Sequence, residues 1–420
     1  MTGIAGAGGE NILAVCDNAD LMKKLLYADG MEGKIDLIYI DPPFYSKSDY
    51  GSEIRLNSDQ GVRLPSVRHT VYQDTWENGM EEYLSMLAFR FYLMKDLLSE
   101  TGSLFVHLDW HVVHYVKVLL DEIFGEKNFV NEIVWHYKSG GVSKRYYARK
   151  HDTLLFYAKG SKYYFSPQSE KSYNRGHKPY RFKGVREYRD DLGWYTMVNM
   201  KDVWTIDMVG RTAAERTGYA TQKPEALISR ILEGSTREGH LAADFFAGSG
   251  TLAAVAERMG RRWISCDIGK SAAGKAAKRL SAVGASYRIF ETPDSSYGGS
   301  LTIGIATKPH EVAEGMAVCV AIRDYSIDNI GDLPTDDRHK ETVRLAEASE
   351  PLQLLDYWSV DFDYDGMIYK PEELRCRQNG KLDTEITKDG ADFRCIAVRA
   401  VDVFGNSSFK VLKRTGDDWL

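Results

Sequence analysis

Long apolar runs are missing from this chain of 420 residues. No stretch approaches the roughly 18 unbroken apolar residues that a membrane span needs, so a membrane partner is not expected. The opening segment, MTGIAGAGGEN, lacks the basic and apolar regions of a signal peptide, which makes the cytoplasm the expected setting. Cysteine is scarce as well. Cys16, Cys266, Cys319, Cys376 and Cys395 form no CxxC pair, and an odd count suits reduced, buried thiols better than a disulfide framework or a zinc site. Nor do His107, His111, His114, His136 and His151 show metal-ligand spacing, so no metal is expected. There is no internal repeat.

The composition that remains is that of an ordinary globular protein, 43% hydrophobic and 27% charged, long enough for two or three domains. A net charge of −6 argues at first against a polyanionic partner. Its distribution reverses that impression: residues 138–216 carry 17 Lys+Arg against 8 Asp+Glu, and residues 300–420 carry 15 against 23. An acidic module can mask a basic one in the total, and a local basic patch is what attracts phosphates.

Short apolar runs alternate with helical patterns from the start. NILAVC and IDLIYI read as buried strands with DLMKKLL as a helix between them. MEEYLSMLAFRFYLMKDLL is a long amphipathic helix, followed by the strand GSLFVHLD and the helix VHYVKVLLDEIFG. Apolar strands alternating with helices imply an α/β fold with a doubly wound, mostly parallel sheet. Residues 45–75 form a long polar connection, of a length that usually serves function or is disordered. From Trp135 the texture turns aromatic and basic, and the α/β rhythm returns at PEALISRIL, HLAADFF, TLAAVAERMG and RRWISCD. After residues 291–300 the chain is strand-rich and acidic, which suggests a separate β domain.

Two constellations carry chemistry. Asp41-Pro42-Pro43-Phe44 follows IDLIYI directly, at the carboxyl end of a strand, where doubly wound sheets bind ligands. The prolines give a rigid segment with carbonyls free to accept. The Asp41 carboxylate and Pro42 carbonyl suit an exocyclic amine, and Phe44 offers a flat face for a base. A strand ending in a proline turn is the bland alternative. The second constellation, Asp244-Phe245-Phe246-Ala247-Gly248-Ser249-Gly250-Thr251, stands between an apolar run and a helix. Its glycines let the backbone approach a ligand at the helix start. Asp267, at the end of RRWISCD, can bind ribose hydroxyls. Asp244 would repel a pyrophosphate but suits an ammonium group, which disfavours a dinucleotide.

These residues resemble the permuted, β-class amino-group DNA methyltransferases of the N-4/N-6 DNA methylase family. The resemblance spans roughly residues 10–285 and includes Thr221-Gln222-Lys223-Pro224-Glu225; GSLFVHLD, DEIFGEKNFVNEIVW and KHDTLLFYAKG have family-like spacing. It implies the Rossmann-like fold of the S-adenosylmethionine-dependent methyltransferases, with S-adenosyl-L-methionine as cofactor. The catalytic half would span 1–137, an inserted target-recognition region 138–216 and the cofactor-binding half 217–290, before a C-terminal β-rich domain at 300–420. Carried over, Asp41, Pro42, Pro43 and Phe44 hold the target amine and stack its base. Asp244, Phe246, Ala247, Gly248, Ser249, Gly250, Thr251 and Asp267 bind the cofactor, with Thr221 and Lys223 at its methionine carboxylate. Asp17 matches a position at the cofactor adenine, and equally reads as a helix N-cap. Phe245 stands where the family usually has proline.

Double-stranded DNA is then the expected partner. Lys144, Arg145, Arg149 and Lys150 in the basic region, and Lys47, Arg55, Arg63 and Arg68 in the loop after the first motif, are the expected DNA contacts. His107, His111, His114, His136 and His151 read as structural or as lying on the DNA side. No proline-cysteine motif of the ring-carbon methylases is present. An aspartate at the head of the first motif usually accompanies adenine in this family, and serine cytosine. The resemblance therefore implies transfer to adenine N6, by a restriction-modification or solitary methylase. A cytosine-N4 enzyme is the alternative, an RNA methylase a weaker rival, and a catalytically silent DNA-binding module the reading from another class. The family suggests a homodimer, and a restriction subunit would be a natural companion; the residues fix neither, nor the recognition sequence.

Overall fold

The computed structural model describes residues 10–47, 49–54, 67–76, 78–139, 143–291, 299–309, 316–333, 335–377, 381–389, 393–415 and 418–419. For 49–54, 67–73, 299–301, 304–309, 316 and 418 it describes the backbone alone. The chain opens with β1 (Ile12–Val15), α1 (Asn18–Tyr27) and β2 (Ile35–Ile40). The polar connection that follows holds an antiparallel pair, β3 (Asp49–Ile54) and β4 (Val67–Gln73). Then come α2 (Gly79–Leu97), β5 (Leu98–Leu108), α3 (Val113–Phe124), β6 (Phe129–His136) and β7 (His151–Ala158). A small antiparallel sheet of β8 (Ser169–Tyr173), β9 (Glu187–Asp190) and β10 (Gly193–Asn199) precedes β11 (Val203–Thr205). The α/β rhythm resumes with α4 (Glu225–Ser235), β12 (Leu241–Asp244), α5 (Thr251–Arg258), β13 (Arg262–Asp267), α6 (Lys270–Ala282) and β14 (Arg288–Glu291).

Nine strands build the central sheet in the order β11-β6-β7-β5-β2-β12-β13-β1-β14. All run parallel except β7, which is antiparallel to both β5 and β6. Alternation along β2 shows why both faces are covered. Ile38 and Ile40 enter one core with Leu21, Leu25, Leu87, Phe91 and Leu120 of α1–α3. Leu37 and Tyr39 enter the other with Ile228, Leu232, Leu252 and Leu280 of α4–α6. Tyr83, Leu87, Phe91 and Met94 recur every three or four residues along α2, the spacing of one buried helical stripe.

Two strands of the middle segment differ from the expected layout. Residues 151–158 and 203–205, inside the 138–216 region, belong to the central sheet. The physical reason lies in LLFYA: Leu154 and Phe156 enter one core while Leu155 and Tyr157 enter the other, the signature of a strand buried on both faces. The basic, tyrosine-rich character of the flanking residues conceals it.

The C-terminal region carries β15 (Gly299–Pro309), β16 (Met316–Ile327), α7 (Asp337–Ser349), β17 (Leu355–Asp361), β18 (Glu373–Cys376), β19 (Glu385–Asp389), β20 (Cys395–Asp402), β21 (Ser407–Thr415) and β22 (Asp418–Trp419). They form two sheets around a third core that includes Val320, Trp358, Val360, Ile396 and Val398. This unit does not stand apart. Tyr357, Tyr369, Ala397 and Val401 join the core beneath α4–α6, and Tyr287 and Tyr369 exchange backbone hydrogen bonds of 3.1 and 2.9 Å. All five cysteines are free; Cys16 and Cys266 are buried with their sulfurs 3.9 Å apart. Among the described residues no helix is long and apolar enough to cross a membrane.

Candidate active site

The seam between β2 and β12 brings the two halves of the chain together, pairing Leu37 with Ala242 and Ile38 with Ala243. Both strands run toward the same edge and deliver Asp41 and Asp244 there side by side. A cavity of about 850 Å³ opens at that edge. Asp17, Asp41, Pro42, Pro43, Phe44, Thr221, Lys223, Asp244, Phe246, Ala247, Gly248, Ser249, Thr251 and Asp267 all line it. Of the residues assigned to the cofactor from the sequence, Gly250 alone is absent from its wall.

The turn after β2 is held firmly. Tyr83 donates its hydroxyl proton to the Pro43 carbonyl at 2.8 Å. The backbone N–H groups of Tyr45 and Ser46 donate to the buried Asp74 carboxylate at 3.0 and 2.6 Å, and the Trp76 indole donates to it at 3.1 Å. These bonds over-determine a backbone in which Tyr45 and Lys47 have φ of 57° and 55°, a conformation that costs a non-glycine residue energy. Asp41 is ion-paired through Oδ2 with Lys223. Lys223 therefore sits at the Asp41 carboxylate, and its Nζ also lies 5.3 Å from the centre of the Phe44 ring.

Behind Asp41 lies a network that the sequence did not announce. His107 of β5 is fully buried, its Nδ1 3.7 Å from Asp41 Oδ1 and its Nε2 3.2 Å from Asp152 Oδ2. The Tyr39 hydroxyl is 3.0 Å from Nδ1, and Tyr137 donates to the other oxygen of Asp152 at 3.0 Å. Burial alone would push Asp152 up; the hydrogen bond and charge of His107, with Lys223 and Tyr137, outweigh it and hold the carboxyl below its ordinary range. Asp41 Oδ1 is buried with no hydrogen-bond partner in the structure. Such an acceptor is costly unless something donates to it. The one sequence signal was a histidine inside the otherwise apolar SLFVHL.

Across the cavity, the glycine loop turns from β12 into α5. Asp244 is 4% exposed and accepts from the Phe246 N–H at 3.0 Å. Burial pushes its carboxyl well above the usual range, and the charges of Asp41 and Asp267 push the same way against Lys223. A cation beside it would restore its charge. Asp267 ties the loop down, accepting from the Gly248 and Gly269 N–H groups at 2.8 and 2.7 Å. At Gly248, with φ of 51°, a Cβ would meet the Tyr219 ring at 3.1 Å. Gly250 differs in its reason: with φ of 70°, its Cβ would stand 2.7 Å from Cβ of Ala276. Its missing Cβ makes room for the packing of α5 on α6. The Ser249 hydroxyl is buried without a partner. Thr251 accepts from Arg279 at 2.9 Å, and Gln222 orders the preceding segment by binding Thr217 and the Glu215 carbonyl. Asp17 caps α1, accepting from the Ala19 N–H at 2.8 Å, and pairs with Arg90 at 2.8 Å while lining the cavity.

Of the expected DNA contacts, Lys144, Arg145 and Arg149 are exposed. Arg149 stacks 3.6 Å from the centre of the half-exposed Trp110 ring and 4.9 Å from that of Tyr146. Trp110 was not foreseen; it lies two residues beyond β5, on the edge that carries Asp41. Lys150 is occupied by Ser139, donating to its carbonyl at 2.6 Å. Lys47 lies 5.2 Å from the Tyr45 ring. Arg55 and Arg63 fall outside the described residues, and Arg68 is described only by its backbone place in β4. Among the described residues no histidine, cysteine and carboxylate group is arranged to hold a metal.

A family model described as DNA methylase, of the N6/N4 type, matches residues 35–278. The type II methyltransferase M.HpaI of Haemophilus parainfluenzae is 27% identical over 266 residues, covering 63% of this chain and 73% of that protein. The type II methyltransferase M2.DpnII of Streptococcus pneumoniae is 29% identical over 252 residues, covering 59% and 83%. Among solved structures, the M1.HpyAVI–SAM complex aligns with a TM-score of 0.40 at 18% identity, over 64% of this chain and 98% of that one.

Proposed function

This chain belongs to the N6/N4 DNA methylase family, and from that membership we propose that it is a site-specific, S-adenosylmethionine-dependent DNA methyltransferase whose target is the N6 amine of adenine. The observation that carries the reading is the single cavity that joins the Asp41 turn to the glycine loop. An amine acceptor and a cofactor cradle share one space, so nucleophile and methyl donor can be aligned directly.

The cradle fits the cofactor. Asp244, short of charge in its buried place, suits a cationic amino-acid end; Ser249 has a hydroxyl to offer and Gly248 leaves the backbone bare. Asp267 suits ribose hydroxyls. S-adenosylmethionine supplies, when bound, a sulfonium-activated methyl group that needs no enzymic nucleophile. The chain's own residues supply the rest. Asp41 accepts one N–H of the flipped base and Pro42 offers its carbonyl to the other, which directs the nitrogen lone pair at the methyl. Phe44 stacks the ring. Extruding the base costs a few kcal/mol of unstacking. Lys223, ion-paired with Asp41, yields that carboxylate to the incoming amine.

The nitrogen gains a methyl and must give up one proton. Asp41 takes that proton, and His107, 3.7 Å from Asp41 Oδ1 and 3.2 Å from Asp152 Oδ2, backs the first carboxylate from behind. His107 is thus a positioning residue, acting through Asp41. The basic region at 138–216, with Arg149 stacked on Trp110 at its edge, supports phosphate and base contacts to double-stranded DNA. A restriction-modification setting accords with the type II relatives, and a homodimer or a restriction subunit would be a partner of the same kind.

Aspartate at the head of the first motif favours adenine. Sequencing modified bases in DNA from cells that express the protein tests the assignment, reporting base and context together. Methylated adenine within one short sequence is the expected result. Methylated cytosine amines alone would keep the mechanism and overturn the adenine assignment.

A further inference from the structure

One wall of the cavity comes from outside the segment matched to the methylase family, which ends at residue 278. Phe404, in the turn between β20 and β21, lines it together with Ile268, Gly269, Lys270 and Ser271. The turn lies against α6 more closely than side chains allow. At Gly405, with φ of 90°, a Cβ would stand 2.3 Å from both the carbonyl carbon of Lys270 and the backbone nitrogen of Ser271. One helical turn on, a Cβ at Gly274 would meet Val401 Cγ1 at 3.0 Å and Gly405 Cα at 3.3 Å. Two glycines, one on each unit, thus allow backbone to pack on backbone.

The turn is also rigid. The buried Asp402 carboxylate accepts from the N–H groups of Phe404 and Asn406, both at 2.8 Å, from the Asn406 amide at 2.7 Å and from the Tyr325 hydroxyl at 2.7 Å. Nearby ion pairs fasten the unit to the catalytic body: Lys278 with Asp356 at 2.9 Å, and the buried Arg399 with Glu291 at 3.4 Å. A fastening this tight, at a cavity wall, holds Phe404 at 3% exposure.

We propose that the C-terminal β unit is a built-in part of the cofactor site, its turn 402–406 closing the cavity beyond Asp267 and Phe404 walling the nucleobase of S-adenosylmethionine. The chemistry of the two ends assigns the orientation. Asp244 suits the charged amino-acid end, Asp267 the ribose, and the wall past Asp267 presents the 70% exposed Ile268 beside the edge of Phe404, whose ring is otherwise packed in the third core, apolar surface fit for a flat, uncharged ring. The inference rests on the cofactor reading above.

Hydrogen exchange on the full chain, with S-adenosylhomocysteine as ligand, tests it without any substitution. Ligand should slow exchange in peptides covering 402–406 as well as 244–251 and 267–271, and adenosine alone should protect 402–406 where methionine does not. In parallel, Phe404→Ala should raise the Kd for S-adenosylhomocysteine at least five-fold while leaving the Kd for DNA within two-fold, and Phe404→Leu should fall between. Binding that protects the catalytic half and leaves 402–406 unchanged would overturn the inference, as would a folded Phe404→Ala protein of unaltered Kd. No binding of S-adenosylhomocysteine at all would sink the cofactor reading, and this inference with it.

Discussion

The two glycines of the loop after β12 should fail in different ways when each is given a methyl group. In Gly250→Ala the new Cβ meets Ala276 at 2.7 Å, inside the packed α5–α6 contact, at a φ of 70°. The left-handed backbone costs an L-residue about 1–2 kcal/mol, and overpacking a filled interior costs about 1–3 kcal/mol more. A loss of roughly 2–5 kcal/mol in urea unfolding is expected. In Gly248→Ala the backbone cost is similar, but the methyl meets the edge of the Tyr219 ring at 3.1 Å on the cavity wall. A ring can give way by a few tenths of an ångström, so stability falls less. Ligand binding suffers instead: affinity for S-adenosylhomocysteine should drop at least ten-fold, about 1.4 kcal/mol. Urea denaturation and calorimetric titration of the two variants make the comparison. The assignment is refuted if Gly250→Ala is as stable as the parent chain and loses ligand binding while Gly248→Ala does the reverse.

Asp41→Ala should abolish methyl transfer with cofactor affinity kept within a few fold, whereas Asp267→Ala should weaken cofactor binding by about 1.5–3 kcal/mol, the worth of a hydrogen bond to a charged acceptor; equal binding defects in equilibrium titrations would dissolve this division of roles. Phe44→Ala should lose about 1–3 kcal/mol of productive base capture and Phe44→Tyr much less, read from single-turnover rates; an unchanged rate in Phe44→Ala removes the stacking role. Because burial pushes the Asp244 carboxyl up, the folded, ligand-free protein retains a proton there that the unfolded chain releases. Stability from this group therefore declines as pH rises from the ordinary carboxylate range through the raised value. Affinity for the cationic cofactor should climb over the same interval with release of a proton, and calorimetry in buffers of different ionisation enthalpy would contradict this by finding none. Neutralising Lys144, Arg145 and Arg149 should flatten the salt dependence of DNA binding by about 0.9 for each phosphate no longer neutralised; equal flattening from lysines of the C-terminal unit would move the DNA elsewhere.

Most of what the sequence reveals here is local in the chain. Apolar runs mark the strands, and a motif at the end of a run marks a site, so Asp41, Asp244 and Asp267 reach one edge as expected. Asp17, which suited two readings, caps α1 and also lines the cavity. What stayed hidden depends on register between distant segments. His107 and Asp152 are 45 residues apart in the chain and meet because β7 lies antiparallel beside β5. Lys223 and Asp41 are separated by 182 residues and meet across the seam of β2 and β12. Gly250 read as a ligand-facing glycine because its partner, Ala276, is a residue type that carries no signal in a sequence. The strand at 151–158 was masked by the basic, aromatic residues around it, although its last five residues, LLFYA, are apolar. Phe404 carried no hint either: one phenylalanine in a strand-rich stretch points nowhere until the fold sets it against α6.

On the proposed mechanism the Asp41 turn and the glycine loop serve one reaction in one cavity. Single-turnover transfer of labelled methyl from S-adenosylmethionine to duplex DNA, followed by digestion to nucleosides, tests it most directly. The parent chain should put the label on the N6 amine of adenine, and Asp41→Ala, still binding cofactor, should put it nowhere. Label transferred undiminished by Asp41→Ala would show that the Asp41 carboxylate does not hold the target amine.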